Sequence, residues 1–167
     1  MGALIIGRNL APDRWNWPEA DTPLPAAGPV VVPLARWAAE REALCARSDL
    51  LGVVLDPADD PAGLVADFGR LALIAIRFPQ FTDGRGYSIA RLLRERHGWR
   101  GELRAIGDVQ RDQLGFLARV GFDAFALKAG QDIDAALAAF GDFSESYQAA
   151  VDRAQPLFRR RAQNQAA

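Results

Sequence analysis

The chain has 167 residues, half of them hydrophobic and a quarter charged, which is the length and composition of one globular domain with a single core. Its net charge of −1 argues against the basic field that attracts nucleic acid. With one cysteine, Cys45, and one histidine, His97, an internal disulfide is excluded and a zinc or redox-thiol site is not expected. No apolar stretch reaches the ~20 residues of a membrane span. We therefore expect a cytoplasmic protein with no cofactor, no metal, and neither nucleic acid nor membrane as a partner.

The N-terminal part of the chain predicts two short strands separated by a long loop. "ALIIG" (3–7) predicts the first strand and "PVVVPL" (29–34) the second. Residues 8–28 between them are rich in Pro, Asp and Asn, which predicts a loop, and its Trp15 and Trp17 are expected to cover an exposed end of the core. Residues 34–47 then follow a helical pattern.

From residue 51 onward, short apolar strands alternate with helical patterns of about ten residues. Predicted strands lie at 51–56, 72–78, 101–107 and 122–128, and predicted helices at 61–71, 88–97, 109–121 and 132–141. The chain from Ala149 onward predicts a last helix that frays after Pro156, leaving a frayed tail at 156–167.

Such β-α units, joined by right-handed crossovers, build a parallel sheet covered by helices. The pattern predicts a single α/β domain over 1–167, with a predominantly parallel sheet of about five or six strands flanked by helices. It leaves open whether the sheet is doubly wound or forms an incomplete (β/α) barrel.

Polar residues follow the ends of four predicted strands. They are Asp56, then Arg77 with Asp83 and Arg85, then Asp108 after Gly107, and Lys128. Because the carboxyl ends of parallel strands share one edge, where α/β proteins bind ligands, we expect these side chains to meet there.

The turn "FTDGRGYS" (81–88) stands out among these strand ends. Two glycines flank Arg85, which would present its guanidinium without steric hindrance, and a helix start behind it would add N–H donors and a positive dipole end. This combination favours a site for sulfate, phosphate or carboxylate. The predicted ligand-binding residues are Asp83, Gly84, Arg85, Gly86, Tyr87, Ser88, Arg104 and Asp108.

Several of these residues also have a purely structural interpretation. Asp83-Gly84 is an ordinary turn dipeptide, while Ser88 and Asp108 stand where they could cap the helices that follow them. Arg104 lies in the middle of a predicted strand, where an arginine needs an acidic partner. Glu102, Asp83 or Asp108 could provide it.

The motifs of common enzyme classes are absent from the sequence. It contains no GxGxxG, no GxxxxGK[ST] and no GxSxG, so it lacks the dinucleotide, P-loop and nucleophile-elbow fingerprints. If the protein is an enzyme, carboxylate acid/base chemistry with arginine anchoring remains, and no catalytic residue is identified.

Residues 78–125, from "FPQFTDGRGYS" to "ARVGFDAF", resemble the core signature of the bacterial domain of unknown function 934. "VVVPLARWAAER" upstream and "FSESYQ" (143–148) fit the same family, so the resemblance extends over nearly the whole chain. Members are commonly encoded beside assimilatory sulfite reductase and phosphoadenylylsulfate reductase. The resemblance therefore implies a role in sulfate assimilation and cysteine supply, and it brings no established catalytic residues.

Three functions fit these observations. The first is an accessory protein of assimilatory sulfite reduction that binds the reductase or its electron donor, with an exposed aromatic patch formed by Tyr87, Trp99 and Tyr147. The second is a small lyase-like or isomerase-like enzyme acting on an anionic metabolite in a pocket at the strand ends. The third is a structural subunit with a flat apolar surface and no pocket.

Overall fold

A computed structural model describes residues 3–165 and contains one seven-stranded sheet. The strands are β1 (Leu4–Ile6), β2 (Asn9–Ala11), β3 (Val30–Pro33), β4 (Leu51–Leu55), β5 (Leu71–Phe78), β6 (Glu102–Gly107) and β7 (Ala124–Ala126). Their order across the sheet is β2-β1-β7-β6-β5-β4-β3. Strands β3 to β7 are parallel, while β1 is antiparallel to both β2 and β7. The predicted α/β class with a mostly parallel sheet is confirmed, and the sheet has more strands than expected.

The helices are short, and 3₁₀ turns or a π-helical turn adjoin several of them. They are α1 (Leu34–Cys45), α2 (Arg85–Arg91), α3 (Leu114–Arg119), α4 (Ile133–Ala138) and α5 (Leu157–Gln165), with 3₁₀ turns at Pro61–Asp67, Arg111–Gln113 and Ala139–Gly141 and a π-helical continuation of α2 at Leu92–Arg96. None of the helices in the described part of the chain is long and apolar enough to cross a membrane.

Helices α1 to α4 lie on one face of the sheet because the parallel strands follow one another in chain order. Leu44 of α1, Ile89 of α2 and Leu117 of α3 share one buried cluster with Ile74 and Ile76 of β5. In a doubly wound sheet the strand order reverses and helices cover both faces. The observed order never reverses among the parallel strands. Of the two predicted arrangements, the sheet therefore has that of the incomplete barrel, whose β-α units follow one another without closing.

The other face of the sheet, called here the open face, is covered in part by residues 12–28, the N-terminal segment. Trp15 of this segment is 6% exposed and packs in a second cluster with Val31, Val54 and Leu73. The backbone of Asn16 holds the segment against β3, since its carbonyl accepts the Val31 N–H at 2.9 Å. The expectation that the tryptophans cover part of the core is met for Trp15.

Several elements differ from the predictions. The helix expected at 61–71 is a 3₁₀ turn at Pro61–Asp67, and the helix expected at 109–121 is a 3₁₀ turn followed by the shorter α3. Residues 9–11, expected to be loop, form β2 because Gly7, with φ +63°, lets the chain turn back into a hairpin after β1. Helix α2 begins at Arg85 instead of 88. The last helix begins directly after Pro156, a residue that favours helix starts; residues 166–167 of the expected tail lie outside the described part.

Candidate ligand-binding site

The carboxylate of Asp83 holds the guanidinium of Arg85 in the 81–88 turn. Oδ2 of Asp83 lies 2.7 Å from Nη2 of Arg85, and Oδ1 accepts from Nε at 3.0 Å and from the Arg85 backbone N–H at 3.2 Å. The hydrogen bond from the Arg85 side chain lowers the pKa of Asp83. The positive charge of the turn is thus already matched by a carboxylate two residues away.

The two glycines of this turn have different surroundings. A Cβ on Gly86 would lie 2.6 Å from Cζ of Phe78, whereas a Cβ on Gly84 would meet nothing within 4 Å. Gly86 is therefore required by its packing against a buried phenylalanine of β5. Neither glycine is needed to clear space around Arg85, whose side chain is 61% exposed.

Asp108 joins three loops at the carboxyl edge of the sheet. Its carboxylate accepts the Phe81 N–H at 3.2 Å and pairs with Nζ of Lys128 at 2.9 Å. The hydrogen bond from Lys128 is the main reason that the pKa of Asp108 is lowered. Nε2 of Gln113 donates to the Phe81 carbonyl at 3.0 Å and lies 3.2 Å from the Tyr87 hydroxyl. The loops after β5, β6 and β7 therefore do converge at this edge.

The two expected helix caps are not formed. The 3₁₀ turn after β6 is capped by Gln110, whose backbone N–H donates to Oε1 of Gln113 at 2.9 Å, so Asp108 is free to bind the neighbouring loops. Ser88 lies inside α2 and is exposed.

Arg104 lies apart from the other predicted site residues, on the open face of β6. Its side chain is 1% exposed, and Nη2 pairs with Oε1 of Glu102 at 2.6 Å, so Glu102 is the acidic partner among the three considered. Nη1 lies 3.0 Å from Oδ1 of Asp13 but is not aligned for a hydrogen bond, and Cζ lies 5.4 Å from the ring centroid of Trp17. Burial raises the pKa of Glu102, and the charge of Arg104 opposes this shift.

A cavity of about 610 Å³ opens at the carboxyl end of the open face. Its floor is formed by the sheet, and Trp17 and Pro18 of the N-terminal segment form one wall. The lining residues are Asp13, Trp17 to Ala20, Val31, Pro33, Val54, Arg77, Ile106, Gly107 and Ala126 to Ala129. Cavities of this size are typical of small-molecule sites.

Two cationic side chains lie at the rim of the cavity, at the ends of β5 and β7. Nε of Arg77 donates to Oδ1 of Asp56 at 2.8 Å, and Lys128 pairs with Asp108. The side chains of Arg77 and Lys128 are 45% and 54% exposed, so each can also meet a ligand. Between them β6 ends at Gly107, with φ +97°, where a Cβ would lie 2.3 Å from the Phe78 carbonyl oxygen.

Residues 52–158 match the family model described as bacterial protein of unknown function (DUF934). The chain belongs to this family. No curated protein and no solved structure matches the chain. In this DUF934 protein the matched region includes Arg77, Asp108 and Lys128, whereas Trp17 and the rest of the N-terminal segment precede it. The match is thus narrower than the resemblance inferred over nearly the whole chain.

The DUF934 region also carries an aromatic groove of about 420 Å³, to which Phe116, Phe140 and Phe143 contribute their rings. Phe143 is 83% exposed and Tyr147, in the same segment, 68%. The ring of Tyr87 packs 5.2 Å from that of Phe116. Three aromatic residues were expected on one exposed patch. For Trp99 this prediction is wrong, because its side chain is 2% exposed and packs against Phe68.

Sequence reasoning missed the floor and the N-terminal wall of the cavity. Val31, Val54 and Ile106 look like ordinary strand residues, and nothing in their local pattern marks which side chains face the helices. Arg77 and Lys128 had been noted as strand-end residues, and two cations after neighbouring strands were the available signal. Asp13 and Trp17 offered none, because their place depends on how the N-terminal segment crosses the sheet.

Proposed function

We propose that the protein is an accessory protein of assimilatory sulfate and sulfite reduction in cysteine biosynthesis, and that it binds an anionic ligand at the carboxyl edge of its sheet. The main observation in favour of this binding site is the cavity with Arg77 and Lys128 at its rim. The pathway is supported by the family resemblance, whose members are commonly encoded beside the reductases of that pathway.

The position of the cavity supports a binding role. Barrel enzymes and binding proteins built from β-α units use the carboxyl ends of their strands, where side chains from separate loops meet. Here the ends of β5, β6 and β7 each contribute to the cavity lining through Arg77, Gly107 and Lys128. A ligand at this place would contact three loops at once.

The aromatic groove supports binding to a protein partner, for which we propose sulfite reductase or its electron donor. Large aromatic side chains are enriched at the centre of protein interfaces, and an exposed apolar patch in a folded domain marks an interaction site more often than an isolated apolar side chain does. Phe143 and Tyr147 are mostly exposed, which makes them available for such a contact.

One observation favours a second candidate, a small enzyme that acts on an anionic metabolite. The carboxylate of Asp108 lies 2.9 Å from Nζ of Lys128, and Lys128 lines the cavity, so an acid/base pair stands beside the place where a ligand would bind. This candidate predicts turnover of a metabolite by the purified protein alone. The accessory role instead predicts that the protein has an effect only when the reductase is present.

The experiment that tests the proposed function is growth of a deletion strain on defined sulfur sources. We expect normal growth on sulfide and cysteine, poor growth on sulfate and sulfite, and recovery when the wild-type gene is returned. Poor growth on sulfate alone would place the defect before sulfite reduction. Wild-type growth of the deletion strain on sulfate and on sulfite would contradict the proposal.

A further inference from the structure

The lining of the cavity on the open face indicates what class of ligand it takes. We infer that the cavity binds an organic anion with an apolar, ring-sized body, whose anionic group lies between Arg77 and Lys128 while the body rests on the sheet floor. This inference rests on the proposed function, because it names the ligand of the same site.

The size and the floor of the cavity argue against a bare inorganic oxyanion. The volume of about 610 Å³ lies within the range of sites that enclose a whole organic ligand, about 300–1,000 Å³. Val31 and Val54 are almost fully covered, and the half-buried Pro33, Ile106 and Ala126 provide the apolar surface that still faces the cavity. A sulfate ion near the rim would leave this apolar surface wet, whereas an apolar body would remove it from water.

The wall contributed by the N-terminal segment adds an aromatic surface. Trp17 is half-buried, and its Nε1 donates to Oδ2 of Asp13 at 2.9 Å. This bond, together with the guanidinium of Arg104 5.4 Å from the ring centroid, fixes the ring in place. A fixed aromatic wall and a flat apolar floor suit a planar ligand body.

The charges around the cavity place the anionic group at the rim formed by the strand ends. Arg77 and Lys128 are paired with Asp56 and Asp108, but both cations remain about half-exposed and neither carboxylate lines the cavity. Two acidic residues do line it, Asp13 and Glu19, and both belong to the N-terminal segment. The negative charge of Asp13 is reduced by Arg104, which it shares with Glu102, and its Oδ2 accepts from the Trp17 N–H. Glu19 is exposed and would repel an anion, so an anionic ligand must direct its charge toward Arg77 and Lys128 and away from Glu19.

Two fluorescent probes of almost equal shape test the inference on the whole protein. One is 8-anilinonaphthalene-1-sulfonate, and the other is N-phenyl-1-naphthylamine, which has the same rings without the sulfonate. We expect saturable binding of the sulfonate probe at one site. Each of the variants Arg77→Gln and Lys128→Gln should weaken the sulfonate probe about two- to fivefold, as expected for a half-exposed charge, and should leave the neutral probe unchanged. Glu19→Gln should tighten the sulfonate probe.

A pair of filling variants locates the bound probe. Ala126→Trp places a large ring over the cavity floor and should abolish binding of both probes. Ser144→Trp, in the lining of the aromatic groove, is the matched control and should have no effect. If Ala126→Trp does not fold, the Gln variants of the half-exposed rim residues still decide the question.

Each of the other outcomes overturns the inference. Loss of binding in Ser144→Trp but not in Ala126→Trp would place the probe in the aromatic groove. Weakened binding of the sulfonate probe in Glu19→Gln would show that Glu19 does not repel the bound anion and that the charge lies elsewhere. Displacement of the sulfonate probe by inorganic sulfate at equal concentration would make the ligand an inorganic oxyanion, which leaves the proposed function intact. Binding of neither probe, with no effect of sulfate on melting, would also remove the anion site from the proposed function.

Discussion

Arg104 and Asp13 face each other across the open face of the sheet, with Nη1 and Oδ1 3.0 Å apart. Arg104 is fully buried in the middle of β6, and Asp13 belongs to the N-terminal segment that forms one wall of the cavity. The same carboxylate accepts from Nε1 of Trp17 and from the backbone N–H of Trp15. One acidic side chain thus fixes the segment to a part of the sheet that is far away in the sequence.

Asp13→Ala should therefore destabilise the protein and loosen the N-terminal segment. We expect a loss of about 1–3 kcal/mol in the free energy of unfolding, below the range for a fully buried pair because Glu102 still pairs with Arg104 and Asp13 is partly exposed. Denaturation in urea measures the loss, and increased proteolysis within residues 12–28 would locate it. Glu95→Ala is the control, because it removes a pair with Arg91 that is exposed on both sides. Equal stability of wild type and Asp13→Ala would show that the tryptophans and the backbone hydrogen bonds of Asn16 hold the segment without Asp13.

The stability of the protein at low pH should depend on Asp67. This buried carboxylate accepts from Nε1 of Trp37 at 2.9 Å and from Nε of Arg41 at 2.9 Å, and the hydrogen bonds from Arg41 lower its pKa below the ordinary 3.8. A carboxyl whose pKa is lowered by folding stabilises the folded state above its ordinary pKa. That contribution is lost as the pH falls from 3.8 through the lower folded-state value.

Asp67→Asn removes this charge and tests the sign of the effect. At pH 7 we expect the variant to be less stable by about 1–2 kcal/mol, a reduced value because Arg41 is half-exposed. The difference from wild type should shrink as the pH falls below about 4, since wild-type Asp67 then becomes protonated. Urea denaturation at pH 7, 4 and 3 measures it. A difference that grows toward low pH would contradict the lowered pKa.

The parts of the fold that depend on local pattern could be predicted from the sequence. Strand β5 was expected at 72–78 and lies at Leu71–Phe78, because a strand buried on both faces is a continuous apolar run. Helix α4, expected to start at residue 132, is capped by Asp132, whose carboxylate accepts the Ala135 N–H at 3.1 Å. Strand β2 was missed because its three residues carry no alternation of polar and apolar side chains, although Gly7-Arg8 before it was a usable hairpin signal.

Only those parts of the site that follow from the positions of the strand ends could be predicted from the sequence. Asp108 and Tyr87 do come near each other through Phe81 and Gln113, because parallel strands must bring their following loops to one edge. Arg104 could not be placed, since its position depends on which face of β6 it occupies and on what covers that face. Both depend on strand order, and a sequence of alternating strands and helices fits more than one order.

The two glycines of the 81–88 turn should respond differently to alanine. Gly86→Ala places a methyl group 2.6 Å from the buried Phe78 ring and should cost about 1–3 kcal/mol, as overpacking of a core does. Gly84→Ala meets open space at φ −80° and should change the stability by less than about 1 kcal/mol. Thermal melting of both variants measures the contrast. Equal losses would mean that the turn, and not the contact with Phe78, requires glycine.

Complementation should show which cationic residues the function needs. We expect Lys128→Gln and Arg77→Gln, combined in one chain, to lower the melting temperature only slightly, because both cations are about half-exposed. The variant should fail to restore growth of the deletion strain on sulfate, because the cavity would lose both rim charges. Arg91→Gln, which removes an exposed arginine of α2, is the control and should restore growth.

Arg85→Gln separates the cavity from the 81–88 turn in the same assay. Because Arg85 does not line the cavity, we expect this variant to restore growth. Failure of Arg85→Gln together with full recovery by the rim double variant would assign the function to the turn.

Phe143→Ser should weaken binding to a protein partner without affecting the fold. The side chain is 83% exposed, so its loss removes apolar contact area from the aromatic groove and little from the core. We expect a tagged wild-type protein to retain sulfite reductase or its electron donor from a native lysate, and Phe143→Ser to retain at least severalfold less. Leu92→Ser, 40% exposed and absent from the lining of the groove, is the control and should retain as much as wild type. Equal retention by wild type and Phe143→Ser would mean that the partner binds elsewhere, while an equal loss in both variants would indicate non-specific adhesion through exposed apolar side chains.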